Sequence, residues 1–119
     1  MTVAEFYLDV NADYAGSKSR LMNDALILRF LKKFAAEYKI EPLKEAANSS
    51  DAKAIFEACH SLKGVAGNLS LTKLYELASD LTEKTRALGE GAKYPCEKEA
   101  SAIIEEFNKT ISLINQITA

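Results

Sequence analysis

Residues 51–69 read Asp51-Ala52-Lys53-Ala54-Ile55-Phe56-Glu57-Ala58-Cys59-His60-Ser61-Leu62-Lys63-Gly64-Val65-Ala66-Gly67-Asn68-Leu69. Ile55, Cys59, Leu62, Ala66 and Leu69 follow one another at steps of 4, 3, 4 and 3 residues, the spacing of one face of an α-helix. A helix is therefore expected from about Asp51 to Asn68, with an apolar stripe turned to a core and the remaining side chains turned to water.

The same test works outward from this stretch. Downstream, Leu74, Leu77, Leu81 and Leu88 predict a helix from about Thr72 to Leu88, ended by Gly89 and Gly91. Pro95 suits the first turn of a further helix that carries Ile104, Phe107, Ile111 and Ile114. Upstream, Asn23 or Asp24 can cap a helix whose stripe is Ile27, Leu31, Phe34 and Tyr38. Pro42 either kinks that helix or starts a new one, with Leu43 and Ala46 carrying the stripe on to Asn48, and Ser49 and Ser50 supplying a cap and a break. The first 20 residues are the least periodic and are expected to be irregular, with a short, loosely specified helix over Asn11 to Arg20. Four long amphipathic helices with short connections predict an all-α fold, an antiparallel (up-down-up-down) four-helix bundle over about 23–117 with a short additional N-terminal helix. The chain, 1–119, reads as a single domain.

Composition agrees with that architecture and removes several functions. The chain has 119 residues, 48% hydrophobic and 27% charged, enough to bury a core without disulfides or metal. Fifteen Lys and Arg against seventeen Asp and Glu leave a net charge of −2, so nothing attracts nucleic acid or an anionic membrane surface. No apolar run is long enough to span a bilayer, and Met1-Thr2-Val3-Ala4-Glu5 lacks the pattern of a signal peptide. A cytoplasmic location and a monomer are the expectation. Cys59 and Cys96 fit no metal spacing, and the expected state of both is a reduced, inert thiol.

Chemistry concentrates on His60, the only histidine. At about 100° per residue it lies about 140° from the centre of the apolar stripe, so it is expected to face water. Lys63, Gly64 and Gly67 are three, four and seven residues further on and project on the same side. Each helical glycine costs about 0.8–1 kcal/mol relative to alanine. Both glycines also sit well over about 100° from the stripe, so helix packing explains them poorly. Absent side chains that leave the imidazole accessible to another protein's backbone explain them better. A neutral imidazole nitrogen is a good nucleophile, and Lys63 can set a compact positive charge beside a phosphoryl group carried on it. No nucleotide loop, carboxylate cluster or magnesium site accompanies His60, so the machinery that moves phosphate has to come from a partner.

The segment Cys59-His60-Ser61-Leu62-Lys63-Gly64-Val65-Ala66-Gly67-Asn68-Leu69 resembles the signature of histidine phosphotransfer (HPt) domains of two-component phosphorelays. Asn23 to Phe34 is similar to the family's preceding helix and Leu74 to Leu88 to its following one, so the likeness covers roughly residues 10 to 115. The resemblance implies a non-enzymatic carrier. His60 would be the phosphoacceptor, Lys63 the phosphoryl-stabilising cation, and Gly64 and Gly67 the small residues of the docking face. The implied partners are response-regulator receiver domains or a hybrid sensor histidine kinase, with the receiver supplying Mg²⁺ and the carrier holding no cofactor of its own. Two positions depart from the pattern: Ser70 stands where glycine is usual, which bears on the turn into the next helix, and Cys59 stands where alanine is common.

Weaker candidates have two readings each. Ser61 is a hydrogen-bond donor to the phosphoryl group or a solvated helix serine, Asn68 a ligand or a helix-end residue. Phe56, about 50° from His60 on the wheel, edges the docking face or packs partly into the bundle. Lys32, Lys33 and Lys53 read as a solvated charged face. The alternative function is a silent helical adaptor that binds a signalling partner through the His60 face. An enzyme built on a Cys59-His60 pair is disfavoured, because neighbours on a helix diverge by about 100°.

Overall fold

Seven α-helices build residues 1–118, the part described by this computed structural model. The first two occupy the stretch expected to be irregular. Thr2 opens α1 (Val3–Asp9) with a capping box: its hydroxyl accepts from Glu5 N at 3.1 Å, and its own N–H donates to Glu5 Oε1 at 2.8 Å. Asp13 caps α2 (Tyr14–Leu21) by accepting from Gly16 N at 2.9 Å. The expected helix over Asn11 to Arg20 is thus α2, shifted slightly, and a second helix precedes it. Both are too short to show a period, but α1 buries Val3, Phe6 and Tyr7 completely.

The Tyr7 hydroxyl ties this N-terminal pair to the helix that carries His60. It donates to the Leu69 carbonyl at 2.7 Å and lies 2.7 Å from Ser17 Oγ, which itself reaches the same carbonyl at 2.8 Å. All three groups are buried, and burial pushes the phenol up to about 12, so it stays a neutral donor. Tyr7→Phe is expected to remove about 1–1.5 kcal/mol of stability, read as a lower midpoint in urea unfolding.

In α3 (Asp24–Glu37), capped by Asn23, the predicted Ile27, Leu31 and Phe34 are buried, while Tyr38 leaves the helix in an extended conformation and is half-buried. Pro42 starts a new helix rather than a kink: α4 (Glu41–Ser49) carries it in its first turn, where the missing N–H has no partner to lose. Ser50, at φ 55°, supplies the break, and Asp51 rather than a serine caps the next helix. That helix, α5 (Ala52–Asn68), buries the whole predicted stripe of Ile55, Cys59, Leu62, Ala66 and Leu69.

Two stripes match expectation in part, with Leu74 and Leu81 on one and Phe107 and Ile114 on the other buried as expected. On α6 (Thr72–Arg86) the buried face is Leu74, Ala78, Leu81, Thr82 and Thr85, with Leu77 half-buried and Leu88 beyond the helix and exposed. The threonines are compatible with a core because their hydroxyls donate to their own helix, Thr82 to the Ala78 carbonyl at 2.6 Å and Thr85 to that of Leu81 at 2.9 Å. On α7 (Glu97–Ile114) the core face is Ala100, Ile103, Phe107, Thr110 and Ile114, leaving Ile104 and Ile111 at its edge. Pro95 lies before α7, whose N-cap is Cys96.

The helices pack as a bundle 46 × 23 × 21 Å in extent, with α5 and α6 sharing the most intimate interface and α7 closing against α3, α4 and α6. The loop after α6 lies along the start of α5, where Ala52 N donates to the Ala92 carbonyl at 3.0 Å and Tyr94 N to that of Ser50 at 2.8 Å. No helix among the described residues is long and apolar enough to cross a membrane.

The turn from α5 into α6 explains the serine that departs from the family pattern. Ser70 has φ 53°, the left-handed region that favours glycine. Its N–H reaches the Gly67 carbonyl at 3.1 Å and Leu71 N reaches that of Ala66 at 2.9 Å, the two bonds of a Schellman turn. The turn forms with serine, whose hydroxyl accepts from Arg20 and whose carbonyl accepts from Asp13 N at 3.0 Å.

Candidate functional site

A mid-helix position on α5 sets His60 at the surface, as the angular reading expects, with Cys59 beside it at zero exposure. Burial pushes the Cys59 thiol up to about 12, and Cys96, also free and buried, is raised for the same reason. A thiolate at Cys59 is therefore unavailable as a nucleophile. The imidazole rests on the ring of Phe56, one turn earlier, with centroids 5.5 Å apart and planes 8° from parallel. Phe56 is half-buried, and the Arg86 guanidinium of α6 lies over its ring at 5.3 Å. This stack restricts the imidazole without covering it.

Lys63 projects from the next turn toward α6. Its ammonium lies 3.7 Å from Glu83 Oε1 and 5.9 Å from the centre of the Tyr75 ring. Glu83 is held in place by Arg86, whose Nε and a terminal nitrogen donate to its two oxygens at 3.0 and 2.9 Å. Those hydrogen bonds hold the Glu83 carboxyl below the usual carboxylate range, with Lys63 adding to the effect.

The two glycines part company. A Cβ built on Gly64 would meet nothing within 4 Å, so the surface beside His60 is open there. A Cβ on Gly67 would come within 3.3 Å of the Tyr75 ring, so this glycine does admit a neighbouring helix. The expectation that packing explains neither glycine is corrected at Gly67, because a helical wheel shows a residue's direction but not what an adjacent helix sends to meet it. Gly67→Leu is expected to destabilise the fold by about 1–3 kcal/mol through overpacking, whereas Gly67→Ala stays near neutral as the surface ring of Tyr75 gives way; chemical denaturation separates the two.

Ser61 is exposed and accepts from the Tyr38 hydroxyl at 3.3 Å, which places it on the α3 side of His60. Asn68 ends α5, exposed, beside a shallow apolar groove formed by Phe30, Phe34 and Tyr38 with Val65 and Leu69. Lys33 borders this groove. Lys32 is not simply solvated, since it donates to the Ile114 carbonyl at 2.9 Å, while Lys53 meets the exposed Glu90 at 3.8 Å. No cluster of three or more His, Cys, Asp or Glu able to hold a metal occurs among the described residues.

A family model described as Hpt domain matches residues 27–114. The chain belongs to the Hpt domain family. The Hpt match begins within α3 and ends with α7, so it contains most of α3 and all of α4 to α7 and leaves α1 and α2 outside. Hpt domains carry phosphoryl groups in two-component systems, and that general role follows for this chain. No curated protein and no solved structure matches it significantly. The sequence reading of the candidate site missed its neighbours Tyr38, Tyr75, Glu83 and Arg86. Only the last two left a trace, as an acid–base pair three residues apart on one helix.

Proposed function

We propose that the chain is a phosphorelay carrier with His60 as the phosphoacceptor. The observation that carries this reading is an exposed imidazole, backed by a parallel aromatic ring, beside a helical glycine with open space above it. One ring nitrogen of His60 attacks the phosphorus of a receiver's aspartyl phosphate. The acyl-phosphate P–O bond breaks, aspartate leaves as a carboxylate, and the imidazole holds PO₃ on one nitrogen and its proton on the other. Transfer to a second receiver reverses the step. Lys63 sets positive charge beside the transferred group, and Gly64 lets the partner approach. The receiver contributes the acidic pocket and Mg²⁺; the carrier needs no cofactor and has no kinase or phosphatase activity of its own. The apolar groove flanked by Phe30 and Val65, whose wall residue Tyr38 donates to Ser61, gives the partner a surface to bury on the α3 side of α5.

Receiver domains or a hybrid sensor histidine kinase are the proposed partners of a cytoplasmic monomer. The test is incubation with phosphorylated receivers. Label is expected to appear on this chain rapidly and to be lost in acid but retained in alkali, as for a phosphoramidate. Label with the opposite stability assigns a carboxylate or hydroxyl acceptor and ends the proposal.

A further inference from the structure

Two charged side chains next to the site, Glu83 and Arg86, have no part in the transfer step written above. Glu83 Oε1 takes the 2.9 Å bond from Arg86 and also lies 3.7 Å from the Lys63 ammonium. A two-pronged guanidinium pairing fixes a carboxylate in place and keeps it ionised. Arg86 is steadied in turn by lying over Phe56, the ring on which His60 rests. One ammonium cannot sit closest to two anions unless those anions, which repel, approach each other. A phosphoryl group on His60 would bring more negative charge than a carboxylate and the same appetite for Lys63.

We propose that Glu83, clamped by Arg86, is an internal competitor for Lys63: it holds the ammonium against α6 while His60 is bare and releases it when His60 carries a phosphoryl group. Glu83 thereby sets how firmly the carrier keeps its load. The exchange makes and breaks no covalent bond; only the partner of one cation changes. Glu83 is a positioning residue acting through Lys63, and the inference rests on the carrier reading.

Glu83→Gln preserves shape and removes the charge. The protein is phosphorylated with phosphoramidate, whose P–N bond breaks as the bond from phosphorus to the imidazole forms and ammonia leaves. The last ionisation of the phosphoryl group is then followed by ³¹P NMR. Released Lys63 favours the dianion, so the midpoint in Glu83→Gln is expected about 0.3–0.5 pH units below wild type, a two- to threefold change. In a Lys63→Gln background the same substitution should have at most a third of that effect, and Glu83→Asp should restore the wild-type value. An unchanged midpoint overturns the inference, and so does an equal shift with and without Lys63, which would be direct repulsion between two anions. If wild type takes label from receivers but fails this test, only the competitor falls. If receivers never label His60, the carrier reading falls and the competitor with it.

Discussion

His60→Gln gives a folded protein that accepts no phosphoryl group from any receiver. The side chain is exposed and its one aromatic contact is the stack on Phe56, so the thermal midpoint should stay within the range of an ordinary surface substitution, about ±0.5 kcal/mol. Glutamine retains polarity and similar bulk, but its amide nitrogen has no lone pair free to attack phosphorus. The effect on transfer is therefore complete rather than graded. Two measurements on the same sample decide it: circular dichroism for the fold and label transfer for the chemistry. Residual label on the variant would move the acceptor elsewhere. A wild-type chain that takes no label and binds its partner as well as His60→Gln does would instead be the silent adaptor.

Gly64→Leu is expected to raise stability while lowering transfer. Nothing lies within 4 Å of the added Cβ, and leucine is a far better helix former than glycine, so the fold should gain about 0.8 kcal/mol in chemical unfolding. The same side chain would stand one turn from His60, on the surface a receiver has to approach. Loss of close contact there should slow transfer by on the order of tenfold or more, the effect of only about 1.4 kcal/mol in the docked complex. Opposite signs for stability and transfer are the diagnostic result. Unchanged transfer in the stabilised variant would remove Gly64 from the docking face.

The sequence was most informative where one helix determines its own outcome. Ile55 to Leu69 are regularly spaced, large and small apolar side chains alternate with polar ones, and the structure buries that face intact. The position of His60 opposite the stripe follows from the same arithmetic. Where two apolar residues adjoin, as at Ile103 and Ile104, spacing cannot choose between faces about 100° apart, and on α7 Ile103 rather than Ile104 turns inward while Phe107 and Ile114 are buried as expected. Thr82 and Thr85 looked polar in sequence, yet each satisfies its hydroxyl within its own helix and packs inward. The site was half legible for a related reason. Phe56, Lys63 and Gly64 share α5 with His60, whereas Tyr75, Glu83 and Arg86 reach it from α6. Their arrival depends on how two helices dock, and that is not written in the period of either one. Gly67 shows both sides: its place on the wheel was right, and its neighbour was invisible.

The carbonyl that ends the helix bearing His60 is held by Tyr7 and Ser17, both upstream of the span matched as an Hpt domain. A recombinant fragment trimmed to that span would uncover the hydrophobic seat of Val3, Phe6, Tyr7 and Val10 and strip the cap from α3 at Asn23. Homology boundaries are thus a poor guide to where this molecule can be cut: its first two helices are structural scaffolding for the helix that carries His60.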